Sequence, residues 1–220
     1  MKKIAFFTRK GGTGKSTHAF NLACFAALTC KVLLISTDPQ GDSIRWAGGG
    51  DRQLICDDPF KSKHGFTAIF APGQTISDDF IREHKCNLAI IDLPPSVESI
   101  LDVSPDLWVI PIDGRNALLD TMPAIPDLTA RGGQILWLPN ALDIAGSVSA
   151  RTVFEALKKV PQGTVLPAIP TSAALARVAE CYLPVWDTPF GKTAIATKLS
   201  RNAYATILKN LPQSLSRRSA

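Results

Sequence analysis

The 220-residue sequence lacks the features of disulfide-stabilised, metal-cluster and membrane-spanning proteins. Its five cysteines include no Cys-x-x-Cys pair and stand mostly among apolar residues, which predicts buried, reduced thiols and no disulfide framework, zinc site or iron–sulfur cluster. The apolar run that follows the first lysines, residues 4–7, is too short for a secretory signal or a membrane span. We therefore expect a cytosolic globular protein.

Acidic residues are scarce in the last third of the chain. Residues 151–220 contain ten lysines and arginines but only three acidic residues, and the net charge of the whole chain is +5. A basic region of this kind is typical of a surface that contacts phosphate-rich polymers or anionic surfaces, and equally of a solvated basic face. Charge alone leaves both interpretations open.

The sequence also lacks internal repeats, low-complexity stretches and a linker long enough to separate domains. Short apolar runs alternate with helix-period segments, which predicts one α/β domain with a mostly parallel, twisted sheet and helices on both faces. The predicted strands are residues 4–8, 32–37, 66–70, 88–93, 107–112 and 134–138. The predicted helices are residues 16–29, 96–102, 117–130, 149–159, 172–180 and 193–209, with another capped by Ser77. Residues 211–220 are expected to form a flexible tail.

A glycine-rich segment lies between the first predicted strand and the first predicted helix. It consists of Lys10, Gly11, Gly12, Thr13, Gly14, Lys15, Ser16 and Thr17. Glycines let the backbone turn tightly and bring N–H groups close to phosphate oxygens, and the helix start adds a partial positive charge. The pattern predicts a nucleotide site in which Lys15 reaches the β- and γ-phosphates, Ser16 ligates Mg²⁺ and Thr17 contacts the α-phosphate.

The segment departs from the general P-loop pattern because Arg9 stands where a glycine is usual, and Lys10 is an additional lysine. With this lysine it resembles the deviant Walker A box, K-G-G-x-G-K-[ST]-T, of the ParA/MinD family of ATPases. The resemblance implies a P-loop NTPase fold, ATP and Mg²⁺ as cofactors, and a homodimer that forms with ATP. It also implies that Lys10 reaches the partner subunit's nucleotide and neutralises phosphate charge there.

Two acidic segments extend the resemblance. Residues 37–41 resemble the D-P-Q-G segment of ParA proteins, where Asp38 would orient the attacking water. The family usually has a second acid two residues earlier, and this chain has Ser36 there. Residues 90–96 resemble the Walker B segment, I-D-x-P-P, in which Asp92 would hold the water shell of the metal.

Two further resemblances each leave an alternative open. Asn140 matches the asparagine that reads adenine at the end of a strand, yet it also suits a turn beside Pro139. Trp46 matches a tryptophan of short ParA proteins, and a buried structural tryptophan explains it equally well.

The resemblance implies a ParA-type ATPase of slow, partner-stimulated turnover that segregates or positions a plasmid, a chromosome locus or other cargo through an adaptor or centromere-binding protein. The chain starts at its first strand, so we expect no N-terminal operator-binding segment. Non-specific DNA binding, and with it a place on the nucleoid of a bacterial cytoplasm, would use the basic C-terminal region. The candidate DNA contacts are Lys192, Lys198, Arg201, Lys209, Arg217 and Arg218.

Three other functions remain to be weighed. A MinD-like membrane-cycling ATPase needs a terminal amphipathic helix, and residues 212–220 are too short and polar for one, so no stable membrane association is expected. A nucleotide-gated scaffold with little hydrolysis is favoured by Ser36. A nitrogenase-iron-protein-like reductase needs cysteines around a shared cluster, and Cys86 and Cys181 lack those surroundings.

Overall fold

The computed structural model describes residues 1–50, 53–96 and 104–212, which form eight strands and eight α-helices. The strands are β1 (Lys2–Phe6), β2 (Val32–Ser36), β3 (Phe60–Lys61), β4 (Thr67–Phe70), β5 (Leu88–Asp92), β6 (Leu107–Ile112), β7 (Gln134–Pro139) and β8 (Thr164–Val165). The helices are α1 (Lys15–Ala26), α2 (Asp42–Ala47), α3 (Asp78–Glu83), α4 (Arg115–Thr121), α5 (Ile125–Ala130), α6 (Val148–Lys158), α7 (Ala173–Cys181) and α8 (Ile195–Lys209).

All eight strands belong to one sheet with the order β3-β4-β2-β5-β1-β6-β7-β8. Every pairing is parallel except that of the edge strand β3 with β4. Strand β1 lies near the centre, between β5 and β6, so the carboxyl ends of these three strands meet at one edge. The predicted single α/β domain with a mostly parallel sheet is confirmed.

Both faces of the sheet are covered, because successive strand residues point to opposite sides. In β1, Ile4 and Phe6 pack into a core with buried residues of α1, α2, α7 and α8. Their neighbour Ala5 belongs to the opposite core, which is built with residues of α3, α4, α5 and α6. The helices therefore form two layers around the sheet, as the sequence predicted.

Helix α1 is enclosed on most sides, with nine of its 12 residues buried. Three of the buried residues are polar or charged, and two of them, His18 and Asn21, have partners from distant parts of the chain. His18 Nδ1 lies 2.8 Å from the Tyr204 hydroxyl on α8, and Asn21 Oδ1 accepts a hydrogen bond of 2.7 Å from the Val185 backbone N–H. These bonds fix the helix that follows the glycine loop against the C-terminal part of the chain.

The predicted helix over residues 117–130 is wrong as a single helix. Helix α4 ends at Thr121, a 3₁₀ turn covers Met122–Ala124, and α5 follows. Pro123 and Pro126 explain the break, because proline has no N–H to donate and its ring clashes with the preceding turn of a helix. Of the predicted helix over residues 96–102, only Ser96 belongs to the described residues. Of the predicted tail over residues 211–220, only residues 211 and 212 do.

The cysteines are less buried than the sequence predicted. All five are free, but only Cys24 is buried. Cys30, Cys86 and Cys181 are half-buried, and Cys56 is exposed. The difference arises because these four lie at the ends of elements or in connections, where the apolar neighbours along the chain do not enclose them.

The longest helix of the described chain, α8, has 15 residues and exposes a polar face. A bilayer core requires about 20 consecutive apolar residues in a helix. Among the described residues, no helix is long and apolar enough to cross a membrane.

Replacing Asn21 with alanine should lower the free energy of unfolding by about 1–3 kcal/mol, because the buried Val185 N–H loses its acceptor. Chemical denaturation monitored by circular dichroism measures this change. Asn116→Ala, at an exposed position of α4, is the matched control and should change stability by less than about 0.5 kcal/mol. Equal stability of the Asn21→Ala variant and the wild type would contradict this role of the side chain.

Candidate nucleotide site

The glycine loop connects the carboxyl end of β1 to the start of α1, and its shape depends on glycine. Gly12 and Gly14 have φ values of 77° and 96°, in the left-handed region that L side chains rarely adopt. A Cβ atom on Gly14 would lie 2.5 Å from Asn140 Nδ2. Beside Gly11 and Gly12, no atom of residues 1–50, 53–96 or 104–212, apart from each glycine and its two chain neighbours, lies within 4 Å of such a Cβ position, so this side of the loop has room for a ligand.

Lys15 is the buried cation of the site. It begins α1 and is only 6% exposed. Burial lowers the pKa of its ammonium group, while the carboxylates of Asp92 and Asp38 raise it. A cation that has already lost most of its water and lies at a helix N-terminus is suited to bind phosphate.

Asp92 is the buried anion of the site. It ends β5, in register with Phe6 of β1 and Ser36 of β2, and is fully buried. Its Oδ2 accepts a hydrogen bond of 2.7 Å from the Ser43 hydroxyl on α2, whereas Oδ1 has no hydrogen-bond partner among the residues that the structure describes.

Burial raises the pKa of Asp92 to about 6, although hydrogen bonds from Ser43 and Ser16 and the charge of Lys15 oppose the shift. A buried carboxylate oxygen without a partner is costly, and a hydrated cation would satisfy it. The site therefore fits Mg²⁺ held by Ser16 and, through water, by Asp92. Among the described residues, no three His, Cys, Asp or Glu side chains converge on a metal site, so nucleotide phosphates and water would complete the shell.

Asp38 follows β2 at the same edge of the sheet. Its Oδ1 accepts a hydrogen bond of 2.9 Å from the Gln40 backbone N–H. Its charge affects the pKa values of both Lys15 and Asp92, which places the three charged groups together. Ser36 is fully buried, and its hydroxyl has no partner within the described part of the chain.

Lys10 is paired within its own chain. Its Nζ lies 3.0 Å and 2.9 Å from the two carboxylate oxygens of Asp113, which follows β6. The Lys10 side chain is 39% exposed, so the pair lies at the surface of the site. Asp113 was not predicted from the sequence. An acid directly after a predicted strand was the signal for it, because strand ends meet at this edge.

Asn140 follows the end of β7 and lies beside the glycine loop. Its Nδ2 donates a hydrogen bond of 2.8 Å to the carbonyl oxygen of Thr13. A cavity of about 300 Å³ opens next to it, lined by residues that include Thr17, His18 and Thr171. Asn140 therefore braces the loop and also borders a space that could hold a base; its contact with adenine stays a prediction.

His18 was not singled out by the sequence. It is fully buried, and burial lowers its pKa to about 4, so the imidazole is neutral at physiological pH. Trp46 is buried and packs edge-on against Phe20, with ring centroids 6.0 Å apart. This contact agrees with the structural interpretation of the tryptophan.

The predicted DNA-contacting residues that the structure describes lie together. Lys198, Arg201 and Lys209 follow one exposed face of α8, and Lys192 precedes the helix. The Arg201 guanidinium lies over the Trp186 ring, 5.0 Å from its centroid. Arg217 and Arg218 lie outside the described residues.

The sequence and the fold were compared with known proteins. A family model described as an AAA domain matches residues 1–107, which include the glycine loop, Asp38 and Asp92. Over 96 residues the chain is 31% identical to the maintenance of carboxysome distribution protein A of Gloeobacter kilaueensis, a match that covers 44% of this chain and 40% of the relative. Over 121 residues it is 30% identical to the chromosome-partitioning ATPase Soj of Thermus thermophilus, which covers 46% of this chain and 49% of Soj.

The matched regions therefore span less than half the length of these two curated relatives. The fold is similar over almost the whole chain to that of the septum site-determining protein MinD from Pyrococcus horikoshii, solved with Mg-ADP. The TM-score is 0.73 at 16% identity, and the match covers 94% of this chain and 95% of MinD.

The raised pKa of Asp92 predicts a pH-dependent stability difference. The pKa of Asp92 is 3.8 in the unfolded chain and about 6 in the folded protein, so the protonated carboxyl stabilises the fold relative to the carboxylate. This contribution to the free energy of unfolding is fully present below pH 3.8 and is lost as pH rises through about 6. Asp92→Asn avoids this loss, so the metal-free variant should gain roughly 3 kcal/mol relative to wild type between pH 4 and pH 8. Denaturant titrations in EDTA measure the difference, with Asp120→Asn on the exposed face of α4 as control. A difference that does not change with pH would contradict the assignment.

Proposed function

We propose that this chain is a member of the ParA/MinD family of P-loop ATPases, and that it is a ParA-like positioning ATPase that works as an ATP-dependent sandwich dimer. The observation that carries the proposal is the grouping of Lys15, Asp38 and Asp92 beneath a glycine loop that also bears Lys10. The names of the relatives, which refer to carboxysome distribution and chromosome partitioning, support a positioning role.

In this proposal the loop amides from Gly11 to Thr17, together with Lys15, hold the triphosphate. Ser16 and, through water, Asp92 would hold Mg²⁺, which would supply positive charge against the negative charge that develops during phosphoryl transfer. Asp38 orients the attacking water from the end of β2. Because this chain has Ser36 where the family usually has an acid, Asp38 is the sole acid of residues 36–41, which supports slow turnover until a partner completes the site.

Dimer formation requires Lys10 to leave Asp113. The pair is partly exposed, with side-chain exposures of 39% and 19%, so its opening costs little, on the order of 1 kcal/mol or less. The γ-phosphate of a partner subunit's ATP carries more charge than one carboxylate and can replace it. The ion pair would thus keep Lys10 in place until ATP binds.

The remaining steps concern partners. The ATP dimer would bind DNA without sequence preference through the basic face of α8, which would place the protein on the nucleoid. Hydrolysis, stimulated by a centromere-binding or adaptor protein, would release the dimer and so move the cargo. The cargo could be a plasmid, a chromosome locus or a protein assembly, and the relatives' names include two of these kinds.

Lys10→Ala should retain nucleotide binding but lose ATP-driven dimerisation, because its charge acts on the partner subunit's phosphates. Lys15→Ala should lose nucleotide binding itself. Binding of a fluorescent ATP analogue and sedimentation velocity with Mg²⁺ and ATP separate the two effects, with Lys158→Ala on exposed α6 as control. ATP-dependent dimers of the Lys10→Ala variant would refute the proposed arrangement.

Asp38→Ala should reduce the rate of phosphate release at least about tenfold and prolong the ATP-bound dimer, since the attacking water loses its orienting carboxylate. Nucleotide affinity should stay within about threefold, because the loop is unchanged. Steady-state hydrolysis with and without DNA measures the effect, and Asp127→Ala on α5 is the control. A wild-type rate no higher than that of Asp38→Ala would instead favour a scaffold with little hydrolysis.

A further inference from the structure

Asp42 is an acid of the nucleotide site that the motif residues do not include. It begins α2, directly after residues 37–41. Together with residues of the glycine loop and Trp46 it lines a cavity of about 150 Å³, which we call the loop cavity. Among the described residues that line this cavity, Asp42 is the only acid and Lys15 the only cation. Ser16 lines it too, so Asp42 and the predicted metal ligand border the same space.

The turn that carries Asp42 is fixed on both sides. The Gly41 N–H donates a hydrogen bond of 2.9 Å to the carbonyl oxygen of Asp38, and Gly41 has a φ of 61°, which favours glycine. On the other side of Asp42, the Ser43 hydroxyl donates to the Asp92 carboxylate. The fold therefore sets the place of Asp42 relative to both other acids of the site.

The charges at this edge of the sheet do not balance within the site. Asp42 adds a third carboxylate to Asp38 and Asp92, against the buried cation Lys15. Burial raises the pKa of Asp42 and the charge of Asp38 raises it further, although Arg45 opposes the shift. A carboxylate beside the proposed phosphate site would also repel the phosphates. An additional cation in this space would offset both effects.

Ser36 gives a reason for an acid at the start of α2. The resemblance to the ParA/MinD family implies an acid at position 36, and this chain has a serine there. Ser36 is fully buried and lies in register with Asp92, so an acid in its place would set two buried carboxylates side by side. Asp42 is exposed, so its carboxylate keeps part of its hydration. It offers a second acid at a smaller cost of desolvation.

We propose that Asp42 is a positioning residue for the hydrated Mg²⁺ of the nucleotide, and that its carboxylate accepts hydrogen bonds from the water shell of the metal in the role of the acid absent at position 36. The proposal rests on the proposed Mg·ATP site and assigns one further residue to it. Mg²⁺ keeps several of its waters when it binds, and protein groups of the outer shell orient them. The alternative is that Asp42 only favours the start of α2, where negative charge stabilises a helix.

Asp42→Asn removes the charge and keeps the shape. Binding of a fluorescent ATP analogue is measured over a range of Mg²⁺ concentrations and again in EDTA. The Mg²⁺ concentration for half-maximal binding should rise about tenfold, because the loss of an outer-shell partner weakens metal affinity by about 10- to 100-fold. In EDTA the variant should bind the analogue at least as tightly as the wild type, because a carboxylate that repels phosphates is gone.

Asp79→Asn is the matched control. Asp79 is likewise an acid in the first turn of a six-residue helix, and Arg82 follows it at the spacing that separates Arg45 from Asp42. Thermal melting checks that both variants fold, and only Asp42→Asn should raise the Mg²⁺ requirement. An unchanged requirement in Asp42→Asn, or an equal rise in Asp79→Asn, would overturn the proposal in favour of a helix-start role.

Two further variants test the carboxylate itself. Asp42→Glu keeps it, so the Mg²⁺ requirement should stay within about threefold of the wild type. The double variant of Ser36→Asp with Asp42→Asn returns an acid to the site and should need less Mg²⁺ than Asp42→Asn alone. If Asp42→Glu is as defective as Asp42→Asn, or if a folded double variant shows no improvement, the assigned role is wrong. The single variants decide the question if the double variant does not fold.

Failure of the proposed function would give a different result. If the wild type binds no analogue with Mg²⁺, the nucleotide site itself fails. If Asp42→Asn loses affinity equally with Mg²⁺ and in EDTA, Asp42 contacts the nucleotide directly and not through the water of the metal. That outcome contradicts the inference and leaves the ATPase function standing.

Discussion

The structure depends on the burial of opposite charges at one edge of the sheet. Lys15 and Asp92 are almost fully removed from water, and burial disfavours the charged form of each. Their mutual attraction offsets part of that cost, but Asp92 Oδ1 accepts no hydrogen bond from the described part of the chain. Such an arrangement is poor for stability alone. In the proposed function a metal ion and phosphates would make it favourable, so that the cost in the free protein would prepare it for nucleotide binding.

The sheet topology supplies this arrangement. Strands β2, β5, β1 and β6 are parallel neighbours, so their carboxyl ends bring Asp38, Asp92, the glycine loop and Asp113 to the same edge. Ligands of open α/β sheets bind at this edge. Helix α1 then connects the loop to α8 through the His18–Tyr204 hydrogen bond. One helix thus contacts both the nucleotide site and the helix that carries the basic face.

Most of the fold could be predicted because the central strands are buried on both faces of the sheet. Such strands are continuous apolar runs in the sequence, without the alternation of polar and apolar residues that a half-exposed strand shows. The edge strands β3 and β8 were missed since two residues give no periodic signal. Helix 117–130 was predicted without a break because its apolar spacing outweighed Pro123 and Pro126. The burial of the cysteines was overestimated for a related reason. Apolar neighbours along the chain do not show how tightly the ends of helices and strands are packed.

In the site, the motif residues could be predicted because each follows a strand, whereas their partners could not. Asp113 holds Lys10 across 103 positions of sequence, and Ser43 reaches Asp92 across 49.

The most direct test of this account is calorimetric titration of the protein with Mg·ATP near pH 6, in two buffers of different ionisation enthalpy. If the buried Asp92 is to hold a magnesium shell, it must lose its proton on binding. The account therefore predicts binding accompanied by net release of a fraction of a proton, and no such release in Asp92→Asn. Absence of Mg·ATP binding, or net proton uptake by the wild type, would contradict it.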